Sequence, residues 1–103
     1  MRRIQYLVRL ESEQERIRVD FETDRGDVVE LHAVQYETFV QGEWWPVARY
    51  DASHGFFHLD LVTPRGTMKY RVLIGDLGQA LTFGIDDLKE HWRRYRRQAL
   101  GEV

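Results

Sequence analysis

One short stretch, Arg49-Tyr50-Asp51-Ala52-Ser53-His54-Gly55-Phe56-Phe57-His58-Leu59-Asp60, gathers an arginine, two histidines and two aspartates. Histidine titrates near neutral pH and serves as either acid or base. Arginine offers a planar fork that matches phosphate oxygens. Together they suit metal-free cleavage of an RNA phosphodiester, with His54 as the base for the 2′-hydroxyl and His58 as the acid for the leaving oxygen. Arg49 would clamp the phosphate, and Asp51 or Asp60 would orient an imidazole. A hairpin that pairs Tyr50 with Phe57 would set Arg49 opposite His58.

The same residues admit other readings. Two histidines and two aspartates could bind a metal, but positions four apart on an extended strand lie about 13 Å from each other, whereas zinc ligands approach the ion to about 2 Å. His54 and His58 can share an ion only if Gly55 curls the loop back; His58 and Asp60, two apart on one face, are the better pair. The expectation is a site without metal or cofactor. A Ser-His-Asp arrangement of Asp51, Ser53 and His54 is weaker, because adjacent residues seldom point at each other and no oxyanion turn is visible. A structural role is also open: Asp51 can cap a backbone N–H two residues on, Asp60 can pair with Lys69, and His58 can neighbour Arg71.

Elements must hold these groups in place. Ile4, Tyr6, Val8 and Leu10 alternate with polar residues, as do Ile17, Val19 and Phe21, the two-residue period of half-buried strands. These two should pair as a hairpin. Asp24-Arg25-Gly26-Asp27 forms a turn into a long strand from Val28 to Val40, whose apolar phase shift predicts a bulge near Val34. Trp44 to Tyr50 is a fourth strand, with Pro46 favouring an edge or a strand start. Phe57, Leu59 and Leu61 face one side of a fifth strand, with His58 and Asp60 on the other. Thr67 to Ile74 makes the sixth. Asp76 caps a helix running to about Leu100, with Leu77, Leu81, Ile85, Leu88, Trp92 and Tyr95 as its apolar stripe. Gly84 suggests a kink near Phe83.

The expected architecture is a single α+β domain over residues 1–103: an antiparallel meander of about six strands packed against one C-terminal helix. A chain of 103 residues suits one core. The absence of cysteine excludes disulfides and thiolate chemistry from within the chain. No apolar run is long enough for a membrane span, so a cytoplasmic protein without a membrane partner is expected. The net charge of −2 gives no global attraction to nucleic acid, while Arg93, Arg94, Arg96 and Arg97 read as a solvated helix face that also complements the helix's negative end.

The pattern Arg49-Tyr50-Asp51-x-x-His54-Gly55-x-x-His58-x-Asp60, with Ala80-Leu81, Ile85-Asp86-Asp87-Leu88-Lys89 and Trp92 to Tyr95, resembles the signature of an uncharacterised family of small prokaryotic proteins. It is also similar to the site of small β-sheet toxins from toxin-antitoxin pairs. The likeness covers about Trp44 to Arg97; it implies a fold and a site, and brings no activity with it. Two functions therefore stand side by side. One is RNA cleavage at the Arg/His/Asp site. The other is a non-catalytic interaction module, binding itself or a partner protein, with Tyr50, Trp44, Trp45 and Arg71 as binding residues and the tryptophans near an edge strand.

Overall fold

A computed structural model describes residues 1–53 and 55–102. The chain forms β1 (Arg2–Arg9), β2 (Glu15–Asp24), β3 (Asp27–Val40), β4 (Glu43–Asp51), β5 (His58–Thr63), β6 (Gly66–Arg71) and then α1 (Leu77–Ala99). The strands make one six-stranded antiparallel sheet in sequence order. The meander and the C-terminal helix are thus as the periodicities predict.

Turn chemistry explains the order. Arg25 and Gly26 adopt φ of 53° and 86°, a pair of positive values whose twist matches that of the flanking strands. Gln41 and Gly42 repeat the device between β3 and β4, at 53° and 82°. The bulge expected near Val34 falls earlier. Ala33 faces Asp20 and Leu31 faces Phe21, so the extra residue is His32, and a second irregularity leaves out Val29. Ala33 is buried as well, and this hides the phase change until Val34. A third shift sets Tyr36 opposite Ala48 and Glu37 opposite Pro46, placing Pro46 beside a bulge, where its missing N–H is tolerated. β4 is interior in the strand order, yet β5 pairs only with Ala48 to Asp51. The half of β4 carrying Trp44, Trp45 and Pro46 therefore has a strand on one side only.

α1 lies across β3, β4 and β5. Ile17, Val19, Val34, Tyr36, Ala48, Tyr50 and Leu59 face it and form the core with Leu88 and Trp92. Trp92 meets Tyr36 edge to face at 5.7 Å between ring centroids. Asp76 caps the helix by accepting the Gln79 N–H at 3.0 Å. The helix is continuous through Phe83, without the expected kink, because Gly84 serves packing: a β-carbon there would stand 3.3 Å from the Tyr50 ring. The most buried line of α1 accordingly runs through Ala80, Gly84, Leu88, Trp92 and Tyr95, with small residues where the sheet approaches closest. No described helix is long and apolar enough to cross a membrane.

Candidate functional site

Side chains alternate across a pleated sheet, so the register decides which polar groups meet. Arg49 lies opposite Asp60 and Asp51 opposite His58; Asp60 in turn faces Lys69, and His58 faces Arg71. All six stand on the sheet face that α1 leaves uncovered. The predicted pairing of Tyr50 with Phe57 is replaced by Tyr50 with Leu59, a difference of two residues. The cause lies in the loop: the Ala52 N–H is taken by the Leu31 carbonyl at 3.1 Å, and Gly55 turns at φ 87°, so the hairpin opens before Phe57. Phe57 still stacks on Tyr50 at 5.2 Å.

Four of the five proposed catalytic residues thus converge; His54 lies outside the described residues. Arg49 donates through Nε to Asp51 Oδ2 at 3.0 Å, through Nη1 to Gln35 Oε1 at 3.1 Å and through Nη2 to the His32 carbonyl at 2.9 Å. His58 is 1% exposed. Its Nδ1 sits 3.3 Å from the Phe56 carbonyl, while Nε2 lies 3.3 Å from Asp51 Oδ1 and 3.5 Å from Asp60 Oδ2. Asp51 Oδ1 also accepts the Ser53 N–H at 3.2 Å, the local cap its loop position predicts. Asp60 Oδ1 is buried without a hydrogen bond among the described residues, 3.9 Å from Lys69 Nζ.

This cluster continues across the sheet through residues that sequence reasoning missed. Glu37 accepts from Arg16 at 2.8 Å, Arg18 at 3.3 Å and Gln35 at 2.6 Å. Burial pushes its carboxyl upward, but these donors outweigh burial and hold it below the usual range. On β1, Arg3 and Gln5 donate to Asp20. The available signal was Gln35 and Glu37 alternating with apolar neighbours inside a long strand. His32, for which the sequence offered no partner, lies 2.5 Å from Glu22. An acid in phosphodiester cleavage must reach substrate, and the buried His58 ring presents no edge to solvent.

The proposed binding residues divide. Tyr50 is buried under the helix and donates to Asp87 at 2.7 Å. Trp44 lies beneath the Arg16 guanidinium at 3.8 Å and against Phe39. Trp45 is half exposed and donates to the Val40 carbonyl. Arg71 is exposed and hovers over the Phe56 ring at 5.2 Å. Of the terminal arginines, Arg93 pairs with Glu11, Arg96 with Glu15 at 3.5 Å, and Arg94 lies over Tyr95.

Two further places have shape. Beside α1 a groove of about 740 Å³ is lined by Phe83, Asp86, Asp87, Glu90 and His91 among others. Asp87 is already engaged there, accepting both the Tyr50 and Tyr95 hydroxyls and lying 2.8 Å from His91 Nδ1; its spacing of four from His91 was the missed signal. At the other flank every residue of β6 is exposed. Met68, Tyr70 and the 88% exposed Leu73 stand there, next to a hollow of about 610 Å³ lined in part by Phe56, Phe57, Val72, Ile74 and Leu77.

The chain belongs to the family described as domain of unknown function (DUF7718), whose profile matches residues 1–100. No curated protein and no solved structure matches it.

Proposed function

We propose that this member of DUF7718 is a protein-interaction module that takes an acidic, extended segment of a partner protein along the free edge of β6. The observation that carries the reading is the character of that edge. It is the last strand of an open sheet, its sequence Gly66-Thr67-Met68-Lys69-Tyr70-Arg71 contains no acid, and all of it is exposed. An edge strand offers a row of backbone donors and acceptors, and a peptide that adds to it gains affinity from these and specificity from alternate side chains. Lys69 and Arg71 point to one face and Met68 and Tyr70 to the other, so the fitting ligand alternates acidic and apolar residues.

Charge argues against a second copy as the occupant. β1, the other edge, is Arg2-Arg3-Ile4-Gln5-Tyr6-Leu7-Val8-Arg9 and also lacks acids, so any edge-to-edge pairing of two chains opposes like charges, which destabilises cross-strand pairs. The likeness to toxins of toxin-antitoxin pairs fits in one respect, since such a toxin has a dedicated protein partner. Phosphodiester cleavage through His54, His58 and Arg49 is the competing proposal, and it requires the loop around His58 to open.

Fluorescence anisotropy with a labelled peptide of alternating Glu and Val tests the reading. It predicts saturable binding that weakens with salt and falls at least about tenfold in the Lys69→Glu, Arg71→Glu double variant, as loss of well-placed charge pairs worth about 1.4 kcal/mol requires. The protein should stay folded with a melting temperature lowered by no more than about 6 °C, because Lys69→Glu sets an acid opposite Asp60 and a like-charge cross-strand pair costs up to about 1 kcal/mol. Equal binding of a Lys-Val peptide, or cleavage of an RNA oligonucleotide that His58→Asn abolishes in a folded protein, overturns it.

A further inference from the structure

Independently of the partner edge, the geometry points to a divalent-metal site of the zinc class formed by Asp51, His58 and Asp60 on the uncovered face of the sheet. The argument begins with the histidine. Its Nδ1 faces the Phe56 carbonyl at 3.3 Å, and a carbonyl only accepts, so Nδ1 carries the proton. In the neutral ring Nε2 then presents a lone pair. That lone pair is aimed at two carboxylate oxygens, Asp51 Oδ1 at 3.3 Å and Asp60 Oδ2 at 3.5 Å. Two carboxylate oxygens and an imidazole nitrogen converging this closely call for a positive charge among them, in addition to Arg49 beside Asp51 and Lys69 beside Asp60; a proton on Nε2 or a metal ion supplies it.

The distances fit a metal ion in that place. With metal–ligand bonds of about 2.0–2.1 Å, the edge of a zinc coordination tetrahedron is about 3.3–3.4 Å, close to both spacings here. The three ligand atoms lie within 4.8 Å of one another. An imidazole ligand favours zinc over magnesium, which prefers oxygen. The surroundings are those of a supported site: the Phe56 carbonyl fixes the histidine tautomer, Arg49 and the Ser53 N–H hold Asp51, and such outer contacts orient metal ligands. Asp60 Oδ1 is buried with no hydrogen bond among the described residues and only the Lys69 ammonium, at 3.9 Å, beside it, and rotation of that carboxylate offers it to the same ion. Three protein ligands leave one tetrahedral position for water or a further donor.

Chelator-stripped full-length protein titrated with Zn²⁺ in a calorimeter, and with Co²⁺ followed by its visible absorption, tests this. The site predicts one ion per chain at this cluster, with the intense visible bands of four-coordinate Co²⁺, and an affinity for Mg²⁺ at least about 100-fold lower than for Zn²⁺. Asp60→Asn, which alters the most exposed of the three ligands, should weaken Zn²⁺ binding at least about tenfold and remove those bands. His32→Asn, which disrupts the separate Glu22, Glu30, His32 group, should change neither. Absence of Zn²⁺ binding, binding undiminished by Asp60→Asn, or loss of the bands in His32→Asn overturns the assignment. So does a ¹⁵N spectrum of the folded, zinc-treated protein in which both His58 ring nitrogens are protonated, which would make the cluster an ion triad around an imidazolium.

Discussion

Asp87 receives the hydroxyls of Tyr50 and Tyr95, each at 2.7 Å, on a single oxygen, and so links helix to sheet through one carboxylate. Replacing it with alanine strands two tyrosine hydroxyls under the helix. Each buried group left without a partner costs about 1–3 kcal/mol, so Asp87→Ala should lower the urea-unfolding free energy by about 3 kcal/mol. The same contacts set the alkaline limit. Burial first, and then the neighbouring Asp87, push Tyr95 up to about 12 and raise Tyr50 further. A group whose folded value is raised stabilises fully below its unfolded value, about 10 for tyrosine, and that contribution is lost as pH rises through the folded value. Thermal stability should therefore fall from about pH 10 upward, and Asp87→Ala should flatten that decline. At the acid end the sign reverses. The hydrogen bond from Arg3 is the largest influence holding Asp20 below its ordinary value, so its contribution is present above about pH 4 and disappears as pH drops through the folded value. A melting series from pH 6 to pH 2 in the wild type and in Asp20→Asn checks this, the variant losing less stability over that range.

Among the elements, α1 shows how packing overrides helix propensity. Alanine at Gly84 gains up to about 1 kcal/mol of helix propensity. Its β-carbon would nevertheless meet the Tyr50 ring at 3.3 Å, and that ring is held by Phe57, Phe83 and Asp87. Overpacking costs about 1–3 kcal/mol, so Gly84→Ala should destabilise by about 1 kcal/mol net, and Gly84→Leu by several times that. Had the Tyr50 ring been free to yield, alanine would stabilise instead. The sequence made the helix legible, its cap at Asp76 included, because both rest on local periodicity and a local hydrogen bond. It misread Gly84 as a kink because the reason for that glycine sits on β4, far away in the chain. The strands divide likewise. β1, β2, β5 and β6 follow from alternation and turn residues, whereas the shifts at Val29, His32 and Val47 depend on which neighbours are buried across the sheet. That Arg49 and Asp51, and His58 and Asp60, each share a face was readable from their two-residue spacing; which of them stand opposite each other was not, because the register set by the loop at residues 52–57 differs from the expected pairing of Tyr50 with Phe57. The capture of Arg49 by Gln35 and the His32 carbonyl was not readable, since it depends on β3 lying alongside, and neither was the burial of His58 between its neighbours on β4 and β6.

At the scale of the whole molecule, one helix covers the middle of a six-stranded sheet. The polar face opposite is knit together from Arg3 on β1 to Lys69 on β6 by charge-assisted contacts. Lys69 closes that network only at 3.9 Å and stays half exposed, and together with Arg71, Met68 and Tyr70 it leaves the outer flank of β6 cationic and apolar. On the proposed reading, this free edge is where an extended segment of a partner would add as a further strand. Hydrogen–deuterium exchange with and without the Glu-Val peptide tests that most directly. Strand addition predicts that amides between Gly66 and Arg71 slow on binding, with β1 amides unchanged. Peptide binding that leaves the β6 amides exchanging at their free rate, or that protects β1 instead, would contradict it.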